Sequence, residues 1–278
     1  MEDRKKLIDK KKVVVKVGTS TLTHSNGTLN YPRIEKLVMV LCEMRKQGRN
    51  VLLVTSGAIA VGAGKLGLKE RPSQLAKKQA LAAIGQAELM NIYAKHFDNY
   101  NQNVAQVLLT KDVVVNPVRR RNAKNTINAL LDMGILPIIN ENDTVSTDEI
   151  EFGDNDTLSS HVAVLIEADL LILLSDIDGL YSADPRKNSD ATIITKVTDV
   201  EEVIEVAEGA GTGFAKGGMV TKMVAARNCT RNNIDMVIAA GEDPEIVFEI
   251  LEGKEIGTLF VGGQAIDDES PWSLKNLM

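Results

Sequence analysis

Short apolar, largely β-branched runs alternate with longer helical patterns along this chain of 278 residues. The predicted strands cover residues 13–17, 51–54, 104–109, 136–139, 170–174 and 236–239. The predicted helices between them cover residues 32–46, 75–100, 122–133, 158–166 and 219–232. Apolar runs without polar alternation are typical of strands that are covered on both faces. The alternation therefore predicts an α/β fold with a largely parallel sheet and helices on both of its faces.

Composition argues against several classes of function. A net charge of −6 and a pI of about 5.3 do not favour a nucleic-acid-binding surface. The basic clusters at residues 4–6 and 119–121 are short, and we expect solvated chain ends and helix starts there. No apolar run is long enough to span a membrane, and residues 1–12 lack the apolar segment of a secretory signal. Cys42 and Cys229 form no C-x-x-C pattern, so we expect neither a disulfide nor a metal site, and a reducing, cytoplasmic location.

Ligands of such sheets bind where the carboxyl ends of the strands meet, so the residues that follow each strand are the most informative. Lys16 lies inside the first apolar strand, and Gly18 follows that strand. A lysine is costly to bury unless its charge is used. We interpret Lys16 as an ammonium group directed at a phosphate, and an edge-strand lysine that reaches solvent is the alternative.

The second predicted strand is followed by Thr55, Ser56 and Gly57, directly before a helical pattern. Small residues at a helix N-terminus leave backbone N–H groups open to a carboxylate or a phosphate. A serine that only caps the helix is the alternative interpretation. Residues 62–67 match G-x-G-x-x-G, but they do not directly follow a strand, so we reject a dinucleotide site.

The densest polar cluster follows the strand at residues 136–139. It comprises Asn140, Glu141, Asn142 and Asp143, and then Asp154, Asn155 and Asp156. Carboxylates and amides in two adjoining loops suit the ammonium group of an amino acid and Mg²⁺. A turn and a helix cap before Leu158 explain part of this cluster, but not its size.

In the second half, the strand at residues 170–174 ends in Ser175 and Asp176. Residues 216–222 then place two glycines before a helix that contains Thr221 and Lys222 in its first turn. Such a segment can surround a polyphosphate, although it does not match a P-loop.

Taken in this order, the segments resemble the amino acid kinase family. The residues that carry the resemblance are 16–20, 54–60, 139–143, 153–156, 179–186 and 217–222. The resemblance covers residues 12–263, between a charged N-terminal segment at 1–11 and a polar tail at 264–278. Many members carry a further C-terminal domain of the PUA type, and we expect this chain to be a short form without it.

The resemblance implies a three-layer αβα sandwich with a mostly parallel central sheet. Its N-terminal part would bind the amino acid and its C-terminal part ATP. Within the family, the motifs resemble the members that phosphorylate the γ-carboxylate of L-glutamate to L-glutamyl 5-phosphate, the first step of proline biosynthesis. The resemblance also implies Mg²⁺ carried by ATP, inhibition by proline, a homo-oligomer and coupling to glutamyl phosphate reductase, with no nucleic acid and no membrane as partner.

The resemblance also assigns roles to residues. Lys16 and Lys222 would straddle the transferred phosphoryl group, and Asp154 or Asp156 would hold the two ammonium groups or help to position Mg²⁺. Glutamate would be bound by Ser56, Gly57, Asp143 and Asn155. ATP would contact Lys16, Ser175, Asp176, Lys216, Gly217, Gly218, Met219, Val220, Thr221 and Lys222. No protein ligand of a metal is assigned, and no general base is needed, because a carboxylate is already ionised at neutral pH.

Two alternatives stay open. One is a sister kinase that acts on N-acetylglutamate, aspartate, carbamate or UMP, although the acidic acceptor loops do not suit UMP. The other is a non-catalytic nucleotide or amino-acid sensor on the same fold, which would not need both Lys16 and Lys222. The sequence departs from the family at Ala215 and Lys216, where members often have Gly-Thr, and a Gly-Thr-Gly segment lies slightly upstream at residues 211–213.

Overall fold

The computed structural model describes residues 2–24, 28–68, 70, 72–146, 155–183, 185, 188–209 and 218–263. The strands are β1 (Lys12–Val17), β2 (Asn50–Val54), β3 (Val104–Leu109), β4 (Leu136–Glu141), β5 (Leu170–Ser175), β6 (Leu180–Tyr181), β7 (Ile193–Ile194), β8 (Lys196–Val197), β9 (Asp235–Ala240) and β10 (Thr258–Phe260). The helices are α1 (Glu2–Lys5), α2 (Thr19–Leu22), α3 (Tyr31–Lys46), α4 (Ala58–Lys65), α5 (Leu75–Asp98), α6 (Asp112–Val115), α7 (Pro117–Asp132), α8 (Asp156–Leu165), α9 (Val200–Gly209), α10 (Gly218–Arg231) and α11 (Ile246–Leu251), and a 3₁₀ helix covers Lys6–Asp9.

Eight strands form one sheet in the order β3-β4-β2-β1-β5-β9-β10-β8. Neighbouring strands run parallel, except that β10 pairs antiparallel with β9. Strand β1 lies in the interior of the sheet, between β2 and β5. The strand order therefore reverses at β1, and open α/β sheets bind ligands at the carboxyl ends of the strands next to such a reversal.

Two hydrophobic cores cover the two faces of the sheet. In one core, α3, α5 and α11 pack against Val13, Val15 and Val17 of β1. In the other, α7, α8 and α10 pack against the opposite face, where Val14 lies. The predicted three-layer αβα sandwich is confirmed.

The alternation along β1 decides where Lys16 lies. Successive side chains of a strand point to opposite faces, so Lys16 shares the face of Val14 and points toward the layer of α8 and α10. The side chain is only 3% exposed. The alternative of an edge-strand lysine that reaches solvent is therefore wrong.

Helices α4 and α5 approach each other closely at two glycines. A Cβ atom on Gly85 would lie 1.7 Å from the carbonyl oxygen of Ala58, and one on Gly62 would lie 2.1 Å from the carbonyl oxygen of Leu81. Only glycine permits such an approach of two backbones. Gly62 belongs to the rejected G-x-G-x-x-G pattern, and its contact explains why a glycine stands there. The packing fixes the start of α4, and with it the loop at residues 55–57, against α5.

The N-terminal segment is packed onto the domain. The side chain of Arg4 is buried and donates hydrogen bonds of 2.7 to 3.1 Å to the carbonyl oxygens of Thr195, Lys254, Ile256 and Gly257. Leu7 is fully buried in the first core. The expectation of a solvated basic cluster at residues 4–6 is wrong for Arg4, because its guanidinium satisfies backbone groups next to β8 and β10.

All six predicted strands and all five predicted helices are present. The largest error in a boundary concerns α7, which begins at Pro117 instead of residue 122. Asn116 caps this helix, since its side chain accepts hydrogen bonds from the backbone N–H groups of Val118 and Arg119. The sequence patterns do not predict the short helices α1, α2 and α6, the 3₁₀ helix, the helices α9 and α11, or the short strands β6, β7, β8 and β10.

Within the described residues, no helix combines the length and the hydropathy that a membrane span requires.

Candidate active site

One buried carboxylate joins the two lysines that the sequence singles out. Asp156 Oδ1 lies 2.6 Å from Lys16 Nζ, and Asp156 Oδ2 lies 2.9 Å from Lys222 Nζ. All three side chains are almost completely buried. Burial of charge on this scale is tolerated only where the charges are paired and hydrogen-bonded. Lys16 comes from β1, Asp156 from the first residue of α8 and Lys222 from the first two turns of α10, so three separate elements meet at this carboxylate.

The start of α10 makes further contacts with the same carboxylate. Thr221 Oγ1 lies 3.2 Å from Asp156 Oδ2 and also donates to the carbonyl oxygen of Gly218. Gly218 and Val220 are exposed. The first turn of α10 is thus held on Asp156 while part of it faces solvent.

A chain of three buried amide side chains lies beside this triad. Asn155 Nδ2 donates to the carbonyl oxygen of Thr55 at 2.7 Å and to Asn140 Oδ1 at 2.6 Å. Asn140 Nδ2 in turn donates to Gln86 Oε1 at 2.8 Å. Asn155 occupies the N-cap position of α8 without a side-chain cap bond. Asn155 therefore stands at the predicted cap position, but its side chain does not cap the helix. Its amide group instead joins the loop after β2 to the end of β4.

The loop after β2 leaves a buried hydroxyl group without a hydrogen bond. Gly57, and not Ser56, occupies the N-cap position of α4, with a φ of 94° that favours glycine. The alternative of a serine cap is therefore wrong. Ser56 is 3% exposed, and its Oγ atom has no hydrogen-bond partner among the described residues. A buried hydroxyl group without a partner is costly, so this position suits a polar ligand.

The end of β4 and the loop after it contribute further buried polar groups. Asn140, Glu141 and Asp143 are all less than 10% exposed. The hydroxyl group of Ser146 donates to the carboxylate of Glu141. The backbone N–H of Asn142 donates to the carbonyl oxygen of Leu109 at 2.7 Å, which ties the loop to the end of β3. Among the described members of the predicted polar cluster, all except Asn142 are therefore buried.

On the other side of β1, Ser175 ends β5 and donates a hydrogen bond to Asp176 at 3.0 Å. Asp176 is exposed, whereas Ser175 is 8% exposed. Both residues lie at the carboxyl end of the strand that pairs with β1. They are placed at the same edge of the sheet as the triad of Lys16, Asp156 and Lys222.

The structure brings together Lys16, Asp156, Thr221 and Lys222 through direct contacts. Asn155 precedes Asp156, and its side chain binds Thr55 and Asn140 instead. It places Ser56, Gly57, Asp143, Ser175, Asp176, Gly218, Met219 and Val220 in the loops and first turns around them. Asp154, Lys216 and Gly217 lie outside the described residues. The roles assigned to all of these residues stay predictions.

Gln86 and Tyr93 are two polar residues beside the site that no sequence motif indicates. Both lie on the buried face of α5, and the hydroxyl groups of Tyr93 and Thr55 are 2.9 Å apart. The sequence does contain a signal for both residues. A polar residue at an apolar position of an alanine- and leucine-rich helix needs a hydrogen-bond partner inside the protein.

Comparison with known proteins decides the family. Residues 11–240 match the family model described as the amino acid kinase family. The chain belongs to the amino acid kinase family. Its resemblance to that family, inferred from the ordered motifs, is confirmed over most of its length.

Two relatives illustrate the extent of the similarity. A protein of Clostridium perfringens named glutamate 5-kinase is 53% identical over 263 residues, which cover 93% of this chain and 98% of that protein. A protein of Enterococcus faecalis with the same name is 48% identical over 265 residues, which cover 94% of this chain and 98% of that protein.

Solved structures of other family members share the fold. Carbamate kinase from Giardia lamblia bound to AMP-PNP has a TM-score of 0.67 and 18% identity, and the match covers 92% of this chain and 100% of that chain. UMP kinase from Bacillus anthracis has a TM-score of 0.61 and 17% identity, with 92% and 98% covered. At these identities the likeness concerns the fold alone.

Proposed function

We propose that this chain transfers the γ-phosphoryl group of ATP to the γ-carboxylate of L-glutamate and releases L-glutamyl 5-phosphate and ADP. The observation that carries the proposal is the pair of buried ammonium groups on Asp156, between the acceptor loops and the first turn of α10. The relatives named glutamate 5-kinase, at about half identity and nearly full coverage, support glutamate as the acceptor. The reaction would be the first step of proline biosynthesis.

The chemistry follows from the charges. A γ-carboxylate oxygen of glutamate attacks the γ-phosphorus, the bond to the β-phosphate oxygen breaks, and ADP leaves with the electron pair. No proton has to move, because the nucleophile is already ionised. Negative charge spreads over the transferred group in the transition state, and Lys16 and Lys222 stabilise it from two sides. Asp156 acts as a positioning residue that holds both ammonium groups in the absence of ATP.

Magnesium enters the proposal with ATP. Within the described residues, no group of three or more His, Cys, Asp or Glu side chains could hold a metal ion. We expect the ion to be bound mainly by phosphate oxygens, as is usual for Mg²⁺ at nucleotide sites. When bound, Mg²⁺ neutralises phosphate charge, and Ser175, Asp176 and residues 216–222 would hold the nucleotide beside it.

The acceptor side would be formed by Ser56, Gly57, Asp143 and Asn155. The hydroxyl group of Ser56 and the Oδ1 atom of Asn155 are buried and have no hydrogen-bond partner among the described residues. A bound amino acid offers both donors and acceptors, so it can satisfy these groups. The carboxylate of Asp143 suits the α-ammonium group, which a free amino acid has and an N-acetylated one lacks.

Wider functional assignments belong to the same proposal. Proline would inhibit by occupying the acceptor site, the enzyme would be a homo-oligomer, and the unstable acyl phosphate would be passed to glutamyl phosphate reductase. A cytoplasmic location fits the free thiols of Cys42 and Cys229, which are both buried.

The proposal is tested by measuring ADP release with ATP·Mg and a panel of acceptors: glutamate, aspartate, N-acetylglutamate, carbamate and UMP. Release that depends on glutamate supports it. Release that depends on another acceptor would indicate a sister kinase. Binding of nucleotide without ADP release for any acceptor would favour a non-catalytic sensor.

A further inference from the structure

The orientation of the buried amide chain is fixed by backbone atoms. The backbone N–H of Glu141 donates to Asn140 Oδ1 at 2.9 Å, so this atom must be the oxygen. The carbonyl oxygen of Thr55 accepts from Asn155 at 2.7 Å, so the atom of Asn155 that faces it must be the nitrogen. The nitrogen of Asn140 is therefore the donor toward Gln86, and the acceptor must be the side-chain oxygen of Gln86.

This orientation leaves one polar atom without a hydrogen bond at each end of the row of three amide side chains. Gln86 Nε2 is a donor and Asn155 Oδ1 is an acceptor, and both are buried without a hydrogen-bond partner among the described residues. The side chain of Gln86 is 9% exposed. Its nitrogen cannot turn to Asn140 instead, because the nitrogen of Asn140 would then face another donor. A buried amide donor left in this state requires an acceptor from elsewhere.

The two ends of this row of amide side chains lie at different distances from the proposed reacting centre. Asn155 precedes Asp156, which binds Lys16 and Lys222, and Gln86 lies at the opposite end of the chain, on α5. The neighbour of Gln86 is Gly85, which touches the carbonyl oxygen of Ala58, two residues after Ser56. Gln86 is therefore placed beside both acceptor loops, but at the end away from the lysines.

We propose that Gln86 is a further specificity-determining residue, whose Nε2 donates a hydrogen bond to the α-carboxylate of the bound amino acid. This inference rests on the proposed function, because it takes the γ-carboxylate to lie at Lys16 and Lys222. An amino acid with its γ-carboxylate there extends its α-carbon toward the other end of the amide chain. Its ammonium group is then placed for Asp143, as proposed above, and its α-carboxylate meets the donor on Gln86.

Two substitutions of Gln86 distinguish binding of the α-carboxylate from a purely structural role. Gln86→Glu keeps an oxygen for Asn140 but replaces the free donor with a second oxygen. Gln86→Met keeps the size of the side chain and removes both functions. L-glutamate and its α-amide serve as the two ligands, because they differ only in the charge of the α-carboxyl group.

We expect Gln86→Glu to weaken the binding of glutamate far more than the binding of its α-amide. The lost bond to a charged group corresponds to about tenfold or more in affinity, and repulsion between the two carboxylates adds to it. The ratio of the dissociation constants of the two ligands, measured by calorimetry, should therefore shift by about tenfold toward the amide. The KM for ATP should be unchanged. Gln86→Met should also weaken the binding of glutamate, by a smaller factor than Gln86→Glu does.

Tyr93→Phe is the matched control, because it removes another buried polar contact of α5 and should leave the ligand ratio unchanged. An unchanged ratio in Gln86→Glu would overturn the proposal, whether or not Gln86→Met loses affinity. In that case Gln86 would only support Asn140. Because the readout is binding, it also holds if the wild-type protein binds glutamate without phosphorylating it. That result would refute the proposed function and still test Gln86.

Discussion

Lys16 Nζ and Asp156 Oδ1 lie 2.6 Å apart in the interior of the protein, and this ion pair joins β1 to the first residue of α8. The second oxygen of the same carboxylate holds Lys222. Breaking a buried ion pair by removal of one partner leaves a buried charge and is costly, so neither lysine is expected to be free to move in the absence of ATP. In the proposed function, this pairing preorganises the two ammonium groups for phosphoryl transfer.

Substitution of either lysine should mainly affect turnover. Lys16→Met and Lys222→Met keep most of the side-chain volume and remove one ammonium group from the transition state. We expect kcat to fall by about 100-fold or more, with a much smaller change in the affinity for glutamate. Steady-state kinetics, together with calorimetry of glutamate binding, give both quantities. Lys65→Met is the control, because Lys65 pairs with Glu88 at the surface. A variant of Lys16 or Lys222 with near-normal kcat would contradict its assigned role.

The contact between α4 and α5 provides a prediction about stability. Gly85→Ala places a methyl group against the carbonyl oxygen of Ala58, where the backbone has to shift. We expect a loss of at least about 2 kcal/mol in the free energy of unfolding, and a raised KM for glutamate because the loop before α4 moves. Gly64→Ala is the matched control in α4, since no atom lies within 4 Å of its added Cβ. That variant should be neutral or stabilised by up to about 1 kcal/mol. Equal unfolding free energies for the two variants, measured in denaturant, would contradict the packing argument.

A partly buried histidine gives the protein an acid-sensitive stability. Burial, with smaller contributions from the charges of Lys111 and Arg120, lowers the pKa of His161 to about 4. In the unfolded chain the pKa is about 6.5, so the unfolded state binds the proton more readily between these values. Stability is therefore fully present above about pH 6.5 and falls as the pH drops toward 4, by at most about 3 kcal/mol from this group.

His161→Gln should reduce that dependence. Unfolding free energies at about pH 7 and about pH 5 are to be compared for both proteins, because other groups also titrate. We expect a smaller loss on acidification in the variant than in the wild type. The same loss in both would show that His161 does not titrate as its surroundings predict.

Inhibition by proline, which the family resemblance implies, is proposed to take place at the acceptor site. Proline has the α-carboxylate and ammonium groups that Gln86, Ser56 and Asp143 are proposed to bind, but it has no γ-carboxylate. It should therefore inhibit competitively with glutamate, and Asp143→Asn should weaken both ligands together. Asp132→Asn, at an exposed carboxylate of α7, should change neither. Insensitivity to millimolar proline would contradict the regulatory proposal without affecting the kinase reaction.

The sequence predicts local structure well and the partners of buried groups poorly. The apolar run of β1 predicts a buried strand, which is confirmed. The lysine inside it predicts a functional charge, which stays a prediction. The partner of Lys16 could not be chosen between Asp154 and Asp156, because that choice depends on where α8 begins and how it lies over β1. Strand alternation and the packing of α8 settle the contact with Asp156, and neither can be read from local residue patterns.

Arg4 and Gln86 show two further limits. Arg4 belongs to a run of charged residues that indicates solvent exposure, but it binds carbonyl groups that are about 190 to 250 positions away in the chain. Contacts of such separation leave no local signal. Gln86 did leave one, as a single amide on the apolar face of α5, but its significance depends on Asn140 and Asn155, which only the folded sheet brings beside it.

The central claim is that an acyl phosphate forms on the γ-carboxylate of glutamate. Hydroxylamine captures acyl phosphates as hydroxamates, so the enzyme is to be incubated with ATP·Mg, hydroxylamine and either glutamate, aspartate or N-acetylglutamate. We expect strong hydroxamate formation from glutamate only, because aspartate is one methylene too short to reach the lysines and N-acetylglutamate lacks the charged α-ammonium group. Lys16→Met should abolish most of the signal. A larger signal from aspartate or N-acetylglutamate than from glutamate, or no signal from any of the three, would contradict the account.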